Sequence, residues 1–138
     1  MRNKEKNEML FIMSILKSPE IEYNANNLAK HLGLSAMGVL KIARRMVKQN
    51  ILVSRQVGKA IIYKINLKNE YTQHYINFLL KKEVEQTLPY VKVWINEIKK
   101  IKNSDLAILF GSVLKKQKEA KDIDVLFVTE NKKFQMLK

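Results

Sequence analysis

Asp122-Ile123-Asp124 sets two carboxylates at alternate positions at the head of an apolar run, residues 125–129. Alternate residues of a strand face one side, so the two acids are expected as neighbours. Paired carboxylates repel unless a cation separates them, and hard oxygen ligands suit Mg²⁺. Upstream, Gly111-Ser112 closes a second apolar run, residues 106–110. Glycine at a strand end lets backbone N–H groups approach a phosphate. Phosphate donors beside a carboxylate-held metal are the parts that nucleotidyl or phosphoryl transfer needs. A second constellation suits a polyanion. Lys41, Arg44, Arg45 and Lys48 recur at helical spacing, opposite Val39, Ile42, Ala43 and Met46. An α-helix fits the major groove of duplex DNA, and basic side chains at its flanks neutralise phosphates. The absence of Cys excludes disulfides, thiolate metal sites and cysteine catalysis. His31 and His74 lack ligand-like spacing.

The elements that must position the basic stripe occupy residues 24–64. Leu28, Ala29 and Leu32 share one face of a short helix, and Gly33 supplies a break where a positive φ is tolerated. Ser35 can cap the next helix, expected over residues 36–49, because its hydroxyl accepts from free N–H groups of the first turn. Gly38 in that turn costs up to about 1 kcal/mol relative to Ala. It implies either a close approach to a DNA backbone or tolerance near a helix end. Residues 51–53 and 60–65 read as two strands around a turn at Gly58. Ahead of them, residues 3–16 form an amphipathic helix striped by Met9, Ile12, Met13 and Leu16. Ser18-Pro19 ends it, and residues 20–23 are expected to add a short strand.

Residues 66–69 are a polar link. A longer helix over 70–88 carries Ile76, Leu80, Val84 and Leu88 four apart, with Tyr71, Tyr75 and Phe78 as packing candidates. Pro89 suits the first turn of another helix, reaching Ile101, with Val91, Trp94, Ile95 and Ile98 on one face. The domains are therefore expected at 1–68, 69–88 (a connector) and 89–138.

The net charge is +13 over 138 residues, of which +9 falls in residues 1–68 and +4 in 69–138. The excess sits in the half that carries the basic stripe, as polyanion binding requires. No apolar run approaches a membrane span, and a cytoplasmic protein without membrane contact is expected.

Helix, turn, helix and basic hairpin, in that order, resemble a winged helix-turn-helix DNA-binding domain. The carrying residues are Ala29 to Gly33 at the turn, Val39 and Ile42 beneath the second helix, and Arg55-Gln56-Val57-Gly58-Lys59 in the wing. By that resemblance Ser35, Met37, Lys41 and Arg44 would face the groove. Arg45, Lys48, Arg55 and Lys59 would meet phosphates of double-stranded DNA. Winged regulators often pair through added helices, which implies a homodimer.

Phe110-Gly111-Ser112 followed by Asp122-Ile123-Asp124 resembles the nucleotidyltransferase superfamily that includes DNA polymerase beta, in particular its minimal members. The resemblance implies that Gly111 and Ser112 hold the phosphates of ATP or another NTP, and that Asp122 and Asp124 bind Mg²⁺. Three features depart from it. Leu114, Lys115 and Lys116 fill a loop that is usually small. Lys121 replaces the usual Ser before the first Asp. The third carboxylate belongs on a later strand, which the chain does not reach before Lys138, and Glu130 is not placed to replace it.

The fold expected is α+β: an N-terminal winged helix, a helical connector, and a partial α/β nucleotidyltransferase-like domain with an incomplete mixed sheet. An exposed sheet edge there invites completion by a partner protein. The function expected is a DNA-binding transcriptional regulator whose second module is inactive in this chain. The alternative is a nucleotidyltransferase of toxin–antitoxin type, with its third carboxylate beyond this chain. A third reading is an assembly module whose winged helix binds protein.

Overall fold

Helix α1, Asn3–Lys17, supplies the floor of the N-terminal core. Phe11, Ile12, Met13 and Ile15 are buried on it, and they pack with Leu28, Val39, Met46, Ile51 and Leu52. The computed structural model of the chain describes residues 3–130. The last eight residues of the expected third domain, 131–138, lie outside them. The described chain forms two compact units divided between Lys82 and Glu83.

In the first unit, α2 (Ala25–Leu32) and α3 (Ala36–Lys48) make the helix-turn-helix. Strands β1 (Leu52–Val57) and β2 (Ala60–Ile65) pair antiparallel as the wing, in the register Leu52 with Ile65 to Val57 with Ala60. β1 runs farther than the expected residues 51–53, because the loop is only Gly58-Lys59. Gly58, at φ +57°, takes the positive φ that a two-residue hairpin favours. The short strand expected over residues 20–23 does not form. It is reduced to one hydrogen bond, from Tyr63 N–H to Tyr23 O at 2.9 Å. These elements make an α+β winged helix-turn-helix arrangement.

Helix α4, Glu70–Glu85, stops three residues short of the expected Leu88. Leu88 is extended, at φ −63° and ψ 149°, as a residue before proline must be. Leu79 of α4 joins the N-terminal core, with Tyr75 and Leu80 packed against it. Tyr71 and Phe78, expected to pack, are instead exposed. Tyr71 stacks on Tyr75 and the Lys82 ammonium lies over the Phe78 ring.

In the second unit, α5 (Pro89–Ile98) starts on its proline and buries Val91. Trp94, Ile95 and Ile98 are half-buried on it, and Ile101, past its end, is exposed. Strands β3 (Leu106–Phe110) and β4 (Asp124–Val128) pair antiparallel, from Leu106 with Val128 to Phe110 with Asp124. The sheet expected to be mixed is thus, among the described residues, a purely antiparallel pair. Opposite residues share a face. Ala107, Leu109, Val125 and Phe127 are half-buried, whereas Leu106, Ile108, Phe110, Leu126 and Val128 are open on the other face. Between the strands lie a four-residue helix α6, Val113–Lys116, and a 3₁₀ turn, Gln117–Glu119.

Candidate nucleic-acid interface

The two helices of the helix-turn-helix are punctuated by local chemistry. Asn24 caps α2 reciprocally: its Oδ1 accepts from Asn27 N–H at 3.0 Å, and Asn27 Oδ1 accepts from Asn24 N–H at 2.7 Å. Helix α2 closes on Gly33, at φ +64°, with Leu34 N–H reaching back to Ala29 O at 3.0 Å. This is the left-handed stop for which glycine carries no Cβ penalty. Ser35 then caps α3, its Oγ accepting from Gly38 N–H at 3.1 Å. A Cβ on Gly38 would sit 3.0 Å from that same Oγ. Gly38 therefore belongs to the cap. This is a local reason for the glycine that neither expectation named, and the signal was a Ser three residues ahead of a Gly.

Helix α3 ends in the same left-handed motif. Asn50 has φ +59°. Asn50 N–H donates to Val47 O and Ile51 N–H to Met46 O, both at 2.9 Å. Ile51 and Met46 are both buried, the apolar contact that accompanies this motif. The Asn50 carbonyl accepts from Asn66 Nδ2 and Asn69 Nδ2, both at 3.1 Å, and from Thr72 Oγ1 at 3.3 Å. One carbonyl thus ties the end of α3 to the exit of the wing and the first turn of α4. The residues expected as a plain polar link, 66–69, supply two of its three donors.

Between these ends α3 shows two opposed stripes. Val39, Ile42, Ala43 and Met46 are buried. Met37, Lys41, Arg44 and Lys48 run along the other side and are all exposed. The Arg44 charge bears on the Tyr63 hydroxyl of β2 and favours its ionised form. Burial outweighs it and holds the Tyr63 pKa above the ordinary 10.0.

Arg45 does not join the outer stripe. It is half-buried and forms an ion pair with Glu8 of α1. The same two groups act on Tyr75 of α4, whose pKa is raised first by burial, then by Glu8 and Tyr71, with Arg45 opposing. In the wing, Arg55 pairs with Glu22 at 3.0 Å in a largely exposed bridge. Such bridges contribute roughly 0–1 kcal/mol and leave the guanidinium free to exchange partners. Lys59 stands exposed at the hairpin tip. A shallow cleft between α1 and the start of α3 is lined by Lys4, Lys41 and Arg45 together with Leu34, Gly38 and Ile42.

In the second unit, the pairing of Phe110 with Asp124 puts Gly111 beneath the Asp124 carboxylate. Gly111 has φ +83°, and a Cβ there would collide with Asp124 Oδ2 and lie 3.0 Å from its Cγ. Ser112 begins α6 without a side-chain cap bond. Asp122 is exposed and precedes the strand, because β4 begins at Asp124 rather than earlier. The alternation argument that made the two acids strand neighbours therefore does not reach Asp122. Among the described residues no group of three His, Cys, Asp or Glu side chains could hold a metal ion. No helix among them is long and apolar enough to cross a membrane.

No protein-family model matches the chain, and no curated protein matches it. Among solved structures it is similar to a "predicted DNA-binding transcriptional regulator" from E. coli, at 26% identity and TM-score 0.43, over 53% of this chain and 73% of that one. It is also similar to the adhesin competence repressor AdcR of Streptococcus pyogenes, at 17% identity and TM-score 0.45, over 72% and 66%. A third is the PcaV transcriptional regulator of Streptomyces coelicolor, at 9% identity and TM-score 0.43, over 68% and 71%.

Proposed function

We propose that the chain is a sequence-specific DNA-binding regulator that lays α3 in the major groove of double-stranded DNA. One observation carries this reading: Met37, Lys41, Arg44 and Lys48 are exposed in line along the side of α3 opposite its buried stripe. Lys41 and Arg44 face base edges, and Lys48 and the wing-tip Lys59 neutralise phosphates. Ser35 acts through the cap that sets the start of α3. Arg45 is withdrawn from DNA by Glu8, and Arg55 reaches a phosphate by leaving Glu22. The protein works in the cytoplasm as a homodimer on a two-fold operator.

Titration with random and genomic duplexes across a salt series tests this reading. Each phosphate neutralised contributes about −0.9 to the slope of log K against log salt. A steep slope with selected genomic fragments held far more tightly than random ones is expected. Lys41→Ala with Arg44→Ala should weaken the selected fragments most. Unchanged affinity in that double variant would overturn the assignment of this surface.

A second reading rests on Gly111 and Asp124. Their juxtaposition brings a glycine turn and a carboxylate together at one sheet end, as a nucleotidyltransferase requires. The residues do not fit a complete Mg²⁺ and NTP site: Asp122 lies outside the strand, and no third ligand joins the pair among the described residues. We therefore derive no transfer step. Release of pyrophosphate from ATP or another NTP, dependent on both Mg²⁺ and Asp124, would restore the enzymatic reading. Among the described residues no further strand pairs with β3 or β4, which leaves room for a partner protein to complete the sheet.

A further inference from the structure

The outer stripe of α3 contains one residue that cannot neutralise a phosphate. Lys41, Arg44 and Lys48 are cationic, but the first member, Met37, is apolar and 61% exposed, the largest exposure among the exposed large hydrophobic side chains of the described residues. Its exposure is not a shortage of core positions, because Val39, Ile42, Ala43 and Met46 already complete the buried face of α3. Ala36 beside it is exposed too. The start of α3 is thus a small apolar tip ahead of three cations, held in place by the Ser35–Gly38 cap.

A thioether neither donates a hydrogen bond nor carries charge, so in a DNA groove it gains only from apolar contact. The major groove presents one apolar group, the C5-methyl of thymine. The N-terminal residues of a groove-entering helix are those that reach base edges. We infer that Met37 is a specificity-determining residue that selects a thymine by its C5-methyl group. This rests on α3 being the groove-entering helix. The unbranched side chain suits the contact, because its three rotatable bonds let the sulfur and terminal methyl settle against a neighbouring group. The preference it gives is for T·A over C·G at one position, next to whatever Lys41 and Arg44 read.

The test uses duplexes recovered by selection from a random pool. Each thymine is replaced in turn by deoxyuracil, which removes the methyl and preserves base pairing. At one thymine per bound half-site the protein should lose about fourfold in affinity, the change that burying one methyl group produces. Met37→Ala should bind the thymine and deoxyuracil duplexes equally, with an unaltered thermal melt because the side chain is exposed. Lys41→Ala should weaken both duplexes and keep their ratio. Equal affinity of the natural chain for every thymine and deoxyuracil pair would overturn the inference and leave DNA binding standing. Persistence of the ratio in Met37→Ala would do the same. Failure to recover any bound duplex would overturn both.

Discussion

Glu8 on α1 holds the Arg45 guanidinium of α3, and so fixes the helix expected to enter the groove to the helix beneath it. The pair is half-buried, with 32% of the Arg45 side chain and 18% of the Glu8 side chain exposed. Its members are therefore costly to separate, yet they are not sealed from water. Glu8→Gln should lower stability by roughly 1–2 kcal/mol, below the 3–5 kcal/mol of a fully buried pair. Arg45→Ala should act alike in chemical denaturation. It should leave the salt slope of DNA binding unchanged, in contrast to Lys48→Ala.

Ser35 and Gly38 are coupled through a single hydroxyl. Ser35→Ala should cost about 1 kcal/mol through the lost cap. Gly38→Ala would ordinarily gain up to about 1 kcal/mol in a helix, but here its Cβ presses on the cap at 3.0 Å. The gain should appear only when Ser35 is already Ala. A double-mutant cycle in urea reads this directly, and additive effects would refute the coupling.

Tyr75 gives the first unit an alkaline limit. Its folded pKa lies above 10.0, chiefly through burial and then through Glu8 and Tyr71. The unfolded chain therefore loses this proton at lower pH than the folded one. The associated stability is present in full below pH 10.0 and is lost as pH rises toward the folded value. Tyr63 titrates with the same sign. Tyr75→Phe should flatten the fall in melting temperature above pH 10.0 and leave the neutral range little changed.

Gly111 is constrained twice, by its φ of +83° and by the Asp124 carboxylate against it. Gly111→Ala should destabilise the second unit by about 2 kcal/mol or more. Asp124→Ala in that background should recover the steric part and leave the backbone part. Hydrogen exchange of the β3 and β4 amides measures both, and full recovery would show that the backbone conformation is not limiting.

Most of the first unit was legible in the order of residues, because its signals act over short range. The stripe of Val39, Ile42, Ala43 and Met46 follows from the helical period. Gly33 and Ser35 punctuate within a turn, and Gly58 closes a hairpin whose partners are adjacent in the chain. Gly38 was expected to mark either a close approach to DNA or tolerance near a helix end, and its contact with the Ser35 hydroxyl emerged only from the structure. Strand pairing beyond a hairpin was not legible. Residues 20–23 were expected as a strand, but a turn from Ser18 to Ile21 leaves only the Tyr23 backbone bonded to the wing. Asp122 shares its alternation with Asp124 in the sequence, yet β4 begins two residues too late to hold it.

What the sequence alone determined is the amphipathic division of α3, since periodicity and burial select one face whatever surrounds it. What only the tertiary structure decided is which cations on that helix remain free. Arg44 and Arg45 are adjacent and chemically identical. One is exposed and the other is claimed by Glu8, because α1 passes on one side of α3 only. Likewise the Asn50 carbonyl meets Asn66, Asn69 and Thr72 only after the wing has folded back. Such partners are set by which surfaces the packed core brings together, and no local spacing records that.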